Sequence, residues 1–420
     1  MQPCIPIHTR LACAGCQNII AVEFTGSLDK PRRAAHLQRA LKFGPSQLAY
    51  CTNIHPAESW EETRKMLREH VLAVRDLVCP EGESFGIGLR LSAVAARELL
   101  ENDRLPAFRD WLAENRCHVF TINGFPYGSF HGTRVKERVF QPDWCDPARV
   151  EYTKNLFRIL AAIARSDDGA SVSTLPGSHK TFQADESAIR RHLADLAVWL
   201  DELSAETGHD FHLGLEPEPF GHFENTAETL AFFERLRHDG ADTAAIARRI
   251  GVNYDACHFA LQYEDASASL DAMAAAGIRI SKIHLSSALA LDPRDPAAID
   301  AIRAFDEPVY FHQAIARDGA GEIRRFIDLP DFLTADKSGL VEARVHFHIP
   351  LDAEPAPPLR STRQQVLDVL DWRAKHPAAC HHYEIETYTW AVLPENLRRP
   401  VEEQIAGEYR WVMTAAAANP

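Results

Sequence analysis

No run of apolar residues in this 420-residue chain approaches the roughly 18 that a membrane helix needs, so no membrane insertion is expected. The first residues, MQPCIPIHTRLACAGCQNII, lack the continuous apolar stretch of a secretory signal. Basic charge is short as well. Forty-five Lys and Arg stand against 59 Asp and Glu, and no basic stripe offers a face to a phosphate backbone, so nucleic acid is not expected as a partner. The nine cysteines are odd in number and scattered through apparent strands and helices, which excludes a disulfide framework and fits the reduced thiols of a cytoplasmic protein. Tandem repeats and low-complexity blocks are absent. So is a glycine-rich phosphate loop after an early strand, since the nearest string, GIGLRL, lies inside a strand. STLPGSHK contains no triad, and its Ser173 has no obvious nucleophile partners.

From residue 47 onward, short apolar runs alternate with amphipathic segments of helix length, the pattern of parallel strands joined by crossover helices. The strand-like runs cover 47–54, 85–91, 117–123, 170–176, 211–217, 250–256, 278–285 and 381–388. Helix starts are marked between them: Ser59 opens SWEETRKMLREHVLAVRDLV, and Asp146 followed by Pro147 opens DPARVEYTKNLF. Eight such units predict an α/β fold, a TIM (β/α)8 barrel over 47–420. A long insertion, about 290–355, interrupts it after strand seven, with strand-like pieces at 308–315 and 343–350. Residues 1–46 read as a loosely ordered extension. Within it, Cys4, His8, Cys13 and Cys16 could ligate zinc, but their spacing is tighter than that of common zinc modules.

In a TIM barrel the chemistry gathers where the strands end. Here those ends carry Glu216 and Glu218, then Asp255 and His258, then His284, then Glu384 and Glu386, while the insertion adds His346 and His348 in HFH. Alone, each reads more simply as a strand terminus or a hydrogen-bonded histidine. Together, buried acids and imidazoles on one rim are costly unless they are paired or bind a metal. The mixture suits a divalent Mn, Zn, Fe or Co ion. One ion is expected, and the ligand count allows up to three.

The ordered series Glu216, Asp255, His258, His284 and Glu386 resembles the xylose isomerase-like barrels, which include sugar isomerases, ketose 3-epimerases and endonuclease IV-type phosphodiesterases. The resemblance implies a metal held by Glu216, Asp255, His284 and Glu386. It implies Glu216 and Glu386 as the catalytic proton carriers, and His258 as a ligand or substrate contact. HFHIP is similar to an element of the endonuclease branch that brings further metals, which would add His258, His346 and His348 as ligands; His346 stands where that branch has aspartate. YCTNIHPAESW, FTINGFPYGSFHGTRVKERVFQPDW and EIETYTWAVLP resemble the EboE-type metabolite traffic proteins. That likeness implies a small-molecule metabolite and pathway partners that include a membrane prenyltransferase. The remaining substrate-binding candidates are His55 in TNIHP, Arg90 in GLRLS, and His131, Arg134 and Lys136 in the polar loop after strand three. For these five, a structural role is an equally simple reading.

Overall fold

The computed structural model describes residues 43–418 apart from 133–134, 166–168 and 239–241, so Cys4, His8, Cys13, Cys16 and Arg134 lie outside the described residues. Eight parallel strands form one sheet: β1 Gln47–Tyr50, β2 Phe85–Arg90, β3 Cys117–Asn123, β4 Ala170–Thr174, β5 Phe211–Leu215, β6 Ile250–Asp255, β7 Arg279–Leu285 and, after the insertion, β13 His382–Ile385. Their order is β1-β13-β7-β6-β5-β4-β3-β2, and a single parallel bridge from Cys51 to Gly88 joins the two ends. This is a TIM barrel. The strands read as apolar runs because helices cover the outside while side chains fill the inside, leaving β2, β4, β5 and β6 buried throughout. The expected helix starts are built as the sequence signals: Ser59 and Glu62 make a capping box, and Asp146 caps the helix Pro147–Ile163.

The barrel lumen is unusually polar. Near its N-terminal end His212 and His382 stack at 5.1 Å, with Ser171 bonded to His382. One layer higher, the ammonium of Lys282, wholly buried, is paired with Glu384 and donates to Ser173 Oγ at 3.0 Å. Gly88 serves this layer by having no side chain, because a Cβ there would overlap the Glu384 carboxylate and the Tyr50 carbonyl. Phe43, ahead of β1, already packs into the core, 5.1 Å from Tyr383.

The insertion is larger in structure than a hairpin. β8 Leu289–Leu291, β9 Ala314–Asp318, β10 Ile323–Phe326, β11 Leu340–Val345 and β12 Arg360–Ser361 make a second, antiparallel sheet in the order β10-β9-β11-β8-β12. Its own apolar core includes Leu289, Leu291, Phe305, Phe332, Val345 and Phe347. Neither expected strand keeps its bounds. In 308–315 only the last two residues enter β9, and 343–350 leaves β11 after Val345. Both runs lose ladder pairing where their histidines and Gln313 turn to side-chain bonds at the barrel mouth.

Candidate metal centre

Strand register builds the first half of the site. Asp255 pairs in register with His284 across β6 and β7, and Glu384 with His284 across β13 and β7. Glu216 and Glu386 follow directly on β5 and β13. Asp255 caps the short helix Ala256–Leu261, its Oδ1 accepting from the His258 amide at 3.1 Å and from Ser286 Oγ at 2.6 Å. Its Oδ2 is buried without a hydrogen-bond partner, as is Glu216 Oε2. Glu386 Oε1 accepts from Asn53 at 2.9 Å and Asn123 at 3.0 Å.

Around His284 these groups cannot all be satisfied. Its Nε2 lies 2.9 Å from Glu384 Oε2, so that nitrogen carries the proton and donates it. In the neutral ring Nδ1 then holds a lone pair. Facing that lone pair are Glu216 Oε1 at 3.1 Å, Glu386 Oε2 at 3.2 Å and Asp255 Oδ2 at 3.4 Å. Three carboxylates and a lone pair repel unless a cation sits among them. Burial opposes protonation of His284, yet Glu386 and Glu216 raise its pKa well above the ordinary value, the direction expected where carboxylates gather around a place for positive charge. One ligand atom each from Glu216, Asp255, His284 and Glu386 lies within 4.8 Å of the others, a donor set that fits a divalent ion.

The second half lies off the strands, His258 in the short helix Ala256–Leu261 and His346 and His348 in a loop of the insertion. His258 Nδ1 donates to the Pro217 carbonyl at 2.8 Å, His346 Nδ1 to Gln313 Oε1 at 2.7 Å, and His348 Nδ1 to the Glu386 carbonyl at 2.8 Å. All three rings therefore turn Nε2 inward. The Nε2 atoms of His346 and His348 are 3.1 Å apart, and that of His258 is 3.1 Å from Glu218 Oε2. Glu218, His258 and His346 form one group with ligand spacing, and Asp255, His258 and His348 another. Asp255 thus belongs to both halves. Burial first, then the neighbouring carboxylates, push Glu218 up to about 8; Asp255 and Glu218 raise His258 to about 9 against its burial. A carboxyl group that holds its proton at neutral pH sits beside the candidate ligands.

Above the two halves opens a pocket lined by Glu216, Glu218, His258, His346 and Glu386, and walled by Phe125, Phe130, Phe140, Tyr310, Phe311 and Tyr388. Lys136 lines it too, but its ammonium is paired with Asp328 of the insertion. Its backbone holds a positive φ of 36° where it meets the Val309 carbonyl. The other expected contacts lie elsewhere. Arg90 does not offer its charge to the rim. Its buried guanidinium donates to the Ala57 and Gly128 carbonyls and to Glu58, bracing the loop after β1 against that after β3. His55 is outside the pocket wall, bonded to Tyr50 and stacked on His70 at 4.6 Å, and burial lowers its pKa to about 3. His131 packs against Phe130, its ring nitrogens unpartnered and its pKa lowered by burial to about 4.

Asn53, Asn123, Gln313 and Lys282 were not singled out from the sequence. Asn123 ends β3 and Asn53 lies in the short turn Thr52–Ile54 just after β1, and strand-end logic extended from acids to amides would have found them. Gln313 and Lys282 carry no such signal.

No protein-family model matches the chain, and no curated protein does. Solved structures of xylose isomerase-like proteins are similar at low identity. The IolI protein with a bound zinc atom aligns over 89% of this chain and 99% of its own, with 11% identity and a TM-score of 0.47. A xylose isomerase domain protein from Planctomyces limnophilus aligns over 83% and 93%, with 13% identity and a TM-score of 0.46. The probable 3-DHS dehydratase AsbF from Bacillus anthracis aligns over 87% and 97%, with 12% identity and a TM-score of 0.44. Similarity at this level fixes neither substrate nor reaction.

Proposed function

We propose that this chain is a metal-dependent isomerase or epimerase acting on a small metabolite with adjacent carbonyl and hydroxyl groups, a sugar, sugar phosphate or cyclitol derivative. The observation that carries the reading is the His284 lone pair facing three carboxylates, two of which keep an unpartnered oxygen. Glu216, Asp255, His284 and Glu386 would hold one divalent Mn, Zn, Fe or Co ion. Bound there, the ion supplies Lewis-acid polarisation of the substrate carbonyl.

The chain's own groups do the rest. Glu384, itself fixed by Lys282, sets the His284 tautomer. Asn53 and Asn123 fix Glu386 through Oε1 and leave its Oε2 turned toward His284 and the centre. One of Glu216 and Glu386, entering as the carboxylate, takes the proton from the carbon beside the carbonyl, and the other, entering protonated, returns one. A proton passes from the first to the second through solvent before the next turnover. The aromatic wall limits water at the reacting carbon.

A second reading is a multinuclear phosphoester hydrolase. It is favoured by the inward Nε2 atoms of His258, His346 and His348, which offer places for further ions beside the first. The resemblance of several residue strings to EboE-type proteins suggests a third setting. In it the site serves an Ebo-type metabolite processing or traffic pathway, with prenyltransferase-pathway proteins as partners, and binds its metabolite without converting it.

Elemental analysis of metal per chain tests these readings in the wild type, Asp255→Ala and His346→Ala. About one ion, lost only in Asp255→Ala, supports the isomerase. Two or three ions, reduced in both variants, favour the hydrolase. No ion in any sample overturns both and leaves a binding protein.

A further inference from the structure

Nothing about a sugar requires so apolar a chamber above the acids. Phe130 stands 5.3 Å from Tyr310 and 5.4 Å from Tyr388, Tyr310 stands 5.1 Å from Tyr388, and Tyr388 lies 4.7 Å from His348. Aromatic rings therefore run without a break from the candidate ligands into the wall. Phe125 and Phe140, 5.4 Å apart, line the same pocket.

The polar lining is largely committed. Among the described lining residues the single ammonium or guanidinium is that of Lys136, and Asp328 neutralises it. Asn123 gives its NH2 to Glu386 and takes the Phe125 amide on its oxygen. Gln313 is bonded to His346 and to the Pro219 carbonyl. Asn53 Oδ1 is a buried acceptor without a partner, as is Glu216 Oε2 in the candidate ligand set. A phosphate would find no free cation in this lining, and a polyhydroxylated chain would find few partners for its hydroxyls.

We infer that the substrate joins a metal-chelating oxygen pair to a flat apolar ring. The ring packs among Phe130, Tyr310, Phe311 and Tyr388, and a donor beside the chelating pair reaches Asn53 Oδ1. This rests on the metal-dependent reading and narrows it, excluding sugar phosphates as substrates.

Two hydroxamates separate the inference from its premise. Acetohydroxamate chelates a metal and carries a methyl group, whereas benzohydroxamate adds a ring to the same chelating head. With the metal-loaded protein, calorimetric titration is expected to show benzohydroxamate binding about tenfold tighter or more. In Phe130→Leu and in Phe311→Leu that preference should shrink severalfold while acetohydroxamate binding stays unchanged. Millimolar inorganic phosphate should displace neither probe. Equal binding of the two hydroxamates, or a preference untouched in both variants, overturns the inference and leaves the metal reading intact. Displacement by phosphate overturns it too, in favour of a phosphorylated substrate. Failure of both hydroxamates to bind removes the metal reading, and the inference with it.

Discussion

The two halves of the candidate centre are held in different ways. Glu216, Asp255, His284 and Glu386 sit on or directly after neighbouring barrel strands, so the ladder that fixes their backbones also fixes their spacing. His346 and His348 hang from a loop of the insertion and His258 from the short helix after β6, and each ring is aimed by one hydrogen bond to a carbonyl oxygen, of the backbone or of Gln313. Sheet register preorganises the first half, and individual side-chain bonds preorganise the second. Equivalent damage should therefore cost the second half more.

The largest expected effect would break the comparison at its base. Lys282→Met leaves Glu384 buried without its ammonium, and chemical denaturation should show a loss of about 3–5 kcal/mol, with the first ion weakened as His284 loses its anchor. Next come paired changes behind each half. Gln313→Ala frees the His346 ring and should weaken an ion at the histidines by about 10–100-fold. Asn123→Ala removes one of two bonds to Glu386 and should cost the carboxylate half about tenfold or less, because β13 still positions it. Metal titration with a competing chelator reads both, and equal losses would erase the distinction.

A third test uses pH. Glu218 titrates at about 8 in the folded metal-free protein, against 4.5 for an ordinary glutamate. Its folded pKa is raised, so its contribution to stability is full below about pH 4.5 and is lost as pH rises through about 8. Thermal unfolding of the metal-free protein should show that decline, and Glu218→Gln should flatten it. The smallest effect belongs to the strap between the loop after β3 and the insertion. Lys136→Met should lower stability by about 1–2 kcal/mol in the same unfolding assay and leave metal content unchanged.

The division also marks what the sequence could disclose. All eight barrel strands were legible because each is a short apolar run bounded by turn residues, and the carboxylate half followed from where those runs end. In the insertion, periodicity pointed to strands at 308–315 and 343–350, but Tyr310, Phe347 and the histidines are buried for reasons other than sheet pairing. A hydrophobic pattern reports burial, not the partner that causes it. Arg90 misled for a related reason: its strand-end position is that of a rim residue, while its guanidinium is consumed by two loop carbonyls and Glu58. Lys282 was invisible because its partner, Glu384, lies a hundred residues away in the chain.

The single bridge from Cys51 to Gly88 has a consequence for how the barrel breathes. Every other pair of neighbouring strands in the barrel shares a ladder of at least three registered pairs, so opening should begin between β1 and β2, and backbone amides there should be the first of the barrel to exchange with deuterium. Asn123, at the end of β3, grips Glu386 after β13 and so spans that gap, while Asn53 holds the same carboxylate from the β1 side. A filled carboxylate cluster would act as a bolt on the seam, and slower exchange at its edges would record the bolt being thrown.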